Sequence, residues 1–128
     1  MYNDPTSVYL STRANSSIHG ASPHRLISLL FESCLENLAR AKGAIERREI
    51  RQKAESLKKA MEIIVRLQAY LDFEKGGEIA ENLNYLYDFC TAKLALANAT
   101  NDVEALNEAY RVVAELKLGW AEISQEAG

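Results

Sequence analysis

Apolar residues recur at spacings of three and four along most of this chain, the period of amphipathic helices. Ile27, Leu30, Phe31, Cys34, Leu35, Leu38, Ala41 and Ile45 keep one face apolar. Ser22-Pro23 before them is a helix start, with Ser as N-cap and Pro at the first helical position. Continuing that stripe would place apolar side chains at 48 and 52, where Arg48 and Gln52 stand. It resumes in a new phase at Ile50, Ala54 and Leu57, so the phase slip predicts a turn within Glu46 to Arg51. The alternative, one helix of about 50 residues spanning about 75 Å, would need a partner along its whole length. Leu57, Ala60, Ile64, Leu67 and Leu71 carry the next helix to about Phe73.

Gly76-Gly77 is the only double glycine, and it is expected to end that helix and reverse the chain. Glu78 and Glu81 then fall in the first turn of a further helix, where carboxylates oppose the positive dipole end. Ile79, Leu83, Leu86, Cys90 and Leu94 are its expected inward stripe. Asn98 to Asp102 is turn-like, and Asn101 with Glu104 has capping-box spacing. A last helix carries Val103, Leu106, Tyr110, Val113, Leu116 (or Lys117 through its stem) and Trp120. Four helices joined by short loops predict an all-α fold, an antiparallel up-down four-helix bundle over residues 22–124 of a single domain 1–128. Residues 1–21 are polar yet hold Tyr2, Val8, Tyr9, Leu10 and Ile18, which reads as a frayed terminus or as a short segment or helix packed on the bundle.

Composition sharpens this. A chain of 128 residues builds one hydrophobic core, and 48% hydrophobic content fits a folded protein. A formal charge of −3 offers no basic face for nucleic acid. No apolar run approaches the roughly 20 residues of a membrane span, which excludes membrane insertion, and the polar N-terminus is no signal peptide. Cys34 and Cys90 sit in apolar stripes and read as buried free thiols of a reducing compartment, with the cytoplasm as the expected location.

Candidate chemistry is sparse. A carboxylate-bridged metal pair in a bundle needs Glu-x-x-His, which is absent. His19 and His24 are the only histidines, and His24 in a first helical turn reads as a surface or capping residue. Ser22 near His24 lacks a carboxylate orienter and an oxyanion site. The run Arg47, Arg48, Arg51 and Lys53 is interspersed with Glu46, Glu49 and Glu55, as on a solvated helix surface. These residues predict neither an enzyme nor a cofactor.

What the chain has in surplus is apolar surface. Beside the inward stripe of the helix after Gly77 runs a second one: Tyr85, Phe89, Ala92 and Leu96. The preceding helix adds Ile63 and Tyr70, seven apart and off its main stripe. Either both helices are buried from two sides, or a groove receives an amphipathic partner helix. Tyr2, Val8 and Tyr9 could then shield that groove when it is empty.

Three ordered motifs carry a resemblance to a known family. Ala21-Ser22-Pro23-His24-x-Leu26-Ile27-x-x-Leu30-Phe31 is followed by Glu74-Lys75-Gly76-Gly77-Glu78-Ile79-Ala80-x-Asn82-Leu83-x-x-Leu86-Tyr87-Asp88, then by Leu94-x-x-Ala97-Asn98 and Trp120. Together they resemble the flagellin export chaperones (FliS) over nearly the whole chain. Phe31-Glu32 stands where the family usually has Tyr-Asp or Phe-Asp, and Ser33-Cys34 replaces the small pair that commonly follows. The resemblance implies an antiparallel bundle with a short N-terminal segment, acting in the cytoplasm. It also implies binding of the disordered C-terminal segment of flagellin, protection from premature polymerisation, and delivery to the flagellar export gate. Tyr2, Val8, Tyr9, Ile63, Tyr70, Tyr85, Phe89 and Leu96 are the expected partner-binding residues, on a monomer or weak homodimer. The runner-up class is a non-enzymatic helical adaptor for another amphipathic partner, with an oxygen-handling metal bundle behind it.

Overall fold

A computed structural model describes residues 8–9 and 22–123. Four helices follow in order: α1 Pro23–Glu46, α2 Ile50–Ala69, α3 Phe73–Thr100 and α4 Val103–Glu122. Connections of two or three residues leave room only for reversals, so neighbours run antiparallel. Each helix packs on the next and α4 closes onto α1, giving an all-α four-helix bundle. The expected turn between Glu46 and Arg51 is there, with Arg48 in the left-handed region at φ 60°.

Local chemistry explains the helix starts. Ser22 accepts from the Arg25 amide at 3.1 Å, Asp72 from the Lys75 amide at 3.0 Å, and Asp102 from the Ala105 amide at 3.1 Å. Each satisfies one of the amides a helix start leaves unpaired. The N-cap of α4 is thus Asp102, one residue beyond the expected Asn101. Asn101 instead ends α3 in the left-handed region, at φ 58°. Its side-chain oxygen takes a bond of 2.7 Å from buried Lys53, whose ammonium also reaches the Asn98 carbonyl at 2.9 Å. A cation on the last carbonyls of α3 opposes the negative end of its dipole.

The reversal between α2 and α3 also differs from expectation. It occurs at Tyr70–Asp72, before the glycine pair, and Gly77 is a kink inside α3 with φ 52° and ψ −128°. Only glycine takes such angles without strain. Gly76 serves another need. A Cβ there would meet Ala80 Cβ at 2.9 Å and Val8 Cα at 3.2 Å, because Val8 lies directly against it. Val8 and Tyr9 run antiparallel to Leu71, and the Asp72 amide bonds the Val8 carbonyl at 2.7 Å.

The core lines up α1 through Ile27, Phe31, Cys34, Leu38 and Ala41, and α2 through Leu57, Ala60, Ile64 and Leu67. In α2 the first turns differ from expectation: Ile50 is exposed and Ala54 faces solvent, while Lys53 and Ser56 are buried. In α3 the inward line is Ala80, Tyr87, Cys90, Leu94 and Ala97. Ile79 is 61% exposed and Leu83 and Leu86 are half-buried, so the stripe expected through them was rotated. With Ala80 and Ala97 also buried, Tyr87 is turned inward, where its hydroxyl meets Tyr9. In α4, Ala105, Leu106, Ala109, Val113 and Trp120 are buried, whereas Tyr110 lies at the surface and Leu116 is half-buried.

Candidate partner-binding face

The outer side of α3 is apolar for several turns. Tyr85 is 73% exposed, Leu96 and Ala92 are exposed, and Phe89 is half-buried. Ile79 and Phe73 extend apolar exposure toward the Gly77 end. Beneath them lies a continuous buried cluster contributed by all four helices, with Phe89 packed against it.

Named contacts set the orientation of this surface. Lys93 Nζ meets Glu108 Oε1 of α4 at 2.8 Å and the Cys90 thiol points at the Ala109 carbonyl, which marks the side of α3 turned to α4. Gln68 Nε2 donates to Asn84 and Asp88 at 2.9 Å each, which marks the side turned to α2. At about 100° per residue, Phe89 lies about 40°, Leu96 about 60° and Tyr85 about 80° around the helix from Lys93. The strip therefore faces outward and leans toward α4. There Glu108, Val112 and Leu116 follow one another at single turns, the last two half-buried and packed on the core.

Ile63 and Tyr70 sit elsewhere. On α2 they lie about 140° and 160° around from Gln68, away from α3 and toward α1. Both are half-buried against the core. The structure thus gathers Tyr85, Phe89 and Leu96 on one face and places Ile63 and Tyr70 on another. A groove uniting all five does not form.

Val8 is half-buried and Tyr9 only 3% exposed, while Tyr2 lies outside the described residues. The Tyr9 hydroxyl hydrogen-bonds the Tyr87 hydroxyl within the core. Burial raises the Tyr9 phenol to about 12, with the Tyr87 bond opposing, and pushes Tyr87 still further up. The Tyr9 ring stands edge-on to Trp120 at 5.2 Å, and Trp120 stacks on His24 at 4.9 Å. His24 is only 4% exposed, which corrects its reading as a surface residue. Tyr9 meets a partner only by leaving this seat.

Sequence reading missed Lys93 and Glu108, because a lone lysine and glutamate on different helices show no spacing signal. Among the described residues no group of three His, Cys, Asp or Glu side chains could hold a metal ion. No helix there is long and apolar enough to cross a membrane. Cys34 and Cys90 are free and buried, and burial pushes both thiols up to about 12.

The family model described as flagellar protein FliS matches residues 6–127. The chain belongs to the FliS family. Within it, the flagellar secretion chaperone FliSB of Pseudomonas aeruginosa is 43% identical over 116 residues, covering 91% of this chain and 92% of that protein. The flagellar secretion chaperone FliS of Salmonella typhimurium is 40% identical over 120 residues, 93% of this chain and 89% of its own length. That of Vibrio cholerae is 36% identical over 118 residues, 92% and 87% respectively.

Proposed function

We propose that this chain is a cytoplasmic export chaperone that binds the C-terminal segment of flagellin, keeps it from polymerising and delivers it to the flagellar export gate. The observation that supports this reading is the outward strip of Tyr85, Phe89 and Leu96, with Tyr85 and Leu96 exposed and Phe89 half-buried over the core. In a chain related to flagellar secretion chaperones, such a strip is a place for an amphipathic client helix.

The physical logic is short. A flagellin end that forms packed helices in a filament is apolar enough to self-associate when free. Folding it onto the α3 strip buries the side chains that would otherwise join subunits. Ordering the client costs several kcal/mol, so affinity stays moderate and the subunit can be handed on. Ile63 and Tyr70, on a separate face, serve a second stretch of the same extended client. In the absence of client the same apolar strip supports weak self-association, on an otherwise monomeric chaperone.

Calorimetry with a peptide from the last roughly 40 residues of flagellin tests the reading, a length of many helical turns. Saturable one-to-one binding that is lost in Tyr85→Asp is the expected result. Failure to bind that peptide, with capture of an unrelated amphipathic helix instead, would establish a general helical adaptor.

A further inference from the structure

The Lys93–Glu108 pair borders the apolar strip on its α4 side, between Phe89 and Leu96 of α3 and Val112 and Leu116 of α4. Lys93 stands between Phe89, four residues before it, and Leu96, three after, and its ammonium sits 5.5 Å from the centre of the Phe89 ring. Glu108 precedes Val112 and Leu116 by one and two turns on the facing edge of α4. The two side chains are 32% and 35% exposed, so water still solvates the pair in the free protein. Only one other ion pair exists among the described residues, Arg47–Glu49, in the turn between α1 and α2.

We infer that this pair is an affinity-limiting and register-setting element of the client surface, an inference that rests on the α3 strip being the client site. A client helix laid over Phe89 and Leu96 covers Lys93 and Glu108 as well. Covering the pair strengthens its mutual attraction as the surroundings dry, but not by enough to offset the water lost from both charges. Covering the pair therefore weakens binding relative to a neutral surface of the same shape. It also favours the client register that sets a polar side chain opposite the pair, since an apolar one leaves both charges unsolvated. A chaperone that must give up its client gains from such a built-in penalty.

The test is calorimetry with the same flagellin peptide on paired variants. Lys93→Gln with Glu108→Gln removes both charges without adding apolar surface, and is expected to bind about 5-fold tighter or better. Lys93→Met with Glu108→Met should tighten binding further, by adding contact to the same gain. Glu108→Gln alone leaves Lys93 to be buried without its partner, and should weaken binding about 10-fold. Thermal midpoints should stay close to that of the parent, because a pair this exposed adds little stability. If both double variants bind no tighter than the parent while Tyr85→Asp abolishes binding, the pair does not limit affinity and the inference falls, leaving the client site intact. If Tyr85→Asp also binds normally, the strip is not the client site and both readings fall.

Discussion

His24 and Trp120 hold each other twice. The indole Nε1–H donates to the His24 carbonyl at 3.0 Å, and His24 Nε2 lies 3.0 Å from the Trp120 carbonyl. Their rings stack with planes 14° apart. Because the Trp120 carbonyl can only accept, this geometry places a proton on Nε2. The first turn of α1 is thereby clamped to the last turn of α4, and Tyr9 docks edge-on against the same indole.

Tyr9 is held by the packing of its ring and by its hydroxyl, and two substitutions separate these. Tyr9→Ala removes a buried ring and should destabilise the protein by about 3–5 kcal/mol in chemical denaturation. Tyr9→Phe keeps the ring but leaves the Tyr87 hydroxyl without its partner, at a cost of about 1–3 kcal/mol. Equal losses from both would show that the hydrogen bond, and not the ring, secures the segment.

Alkali should unfold this protein early. Burial holds Tyr9, Cys34 and Cys90 at about 12 in the folded state, above ordinary values of 10.0 and 9.0, and Tyr87 is raised further. Folded pKa values above unfolded ones mean that the stability from these neutral groups is fully present below about 9. It declines between about 9 and 12, where the unfolded chain releases protons that the folded chain keeps. Denaturant midpoints measured from pH 8 to 11 should fall steadily, and a flat profile over that range contradicts the burial of the four groups.

The same thiols should resist labelling. With both raised to about 12, almost no thiolate exists near pH 8, and neither sulfur is exposed. A thiol reagent should react slowly with native protein and rapidly in denaturant, followed by mass spectrometry.

The two adjacent glycines should fail for different reasons. A Cβ on Gly77 meets nothing within 4 Å, so Gly77→Ala costs only backbone strain, about 1–3 kcal/mol. Gly76→Ala drives a methyl toward Val8 and should loosen the segment carrying Tyr9. Limited proteolysis should cut the N-terminal segment faster in Gly76→Ala than in Gly77→Ala at matched stability.

The α3 face and the α3 core should separate cleanly under charge. Tyr85→Asp should weaken flagellin-peptide binding at least about 10-fold, equivalent to about 1.4 kcal/mol, with little change in melting. Leu94→Asp places a charge in the core and should unfold the bundle. Circular dichroism melts beside calorimetry read both effects, and joint collapse of the two variants would make Tyr85 a core residue.

Periodicity carried the reading wherever a helix meets its neighbours through large aliphatic side chains. Ile27 to Ala41 in α1 and Leu57 to Leu67 in α2 were legible for that reason, and the break at Glu46–Ile50 showed as a phase slip. The reading failed where small or polar residues do the packing. Ala80 and Ala97 are fully buried in α3, but alanine is too common in helices to mark a buried face. Tyr87 is buried because Tyr9 meets it, and His24 because Trp120 covers it, partners 78 and 96 residues away that no local window contains. The glycine pair signalled a special backbone without revealing which of two demands, a sharp angle or a close neighbour, each residue met. Of the expected partner residues, Tyr85, Phe89 and Leu96 share a face of one helix. Their separation from Ile63 and Tyr70 depends on how α2 is turned, which only tertiary contacts fix.

The seat of Tyr9 is built by Tyr87 of α3 and Trp120 of α4. A nascent polypeptide emerges from its N-terminus, at roughly 5–20 residues each second. Tyr9 is therefore in solution for several seconds before its socket has been translated. Tyr9 can take its seat only once both α3 and α4 exist, so its docking depends on elements translated long after it.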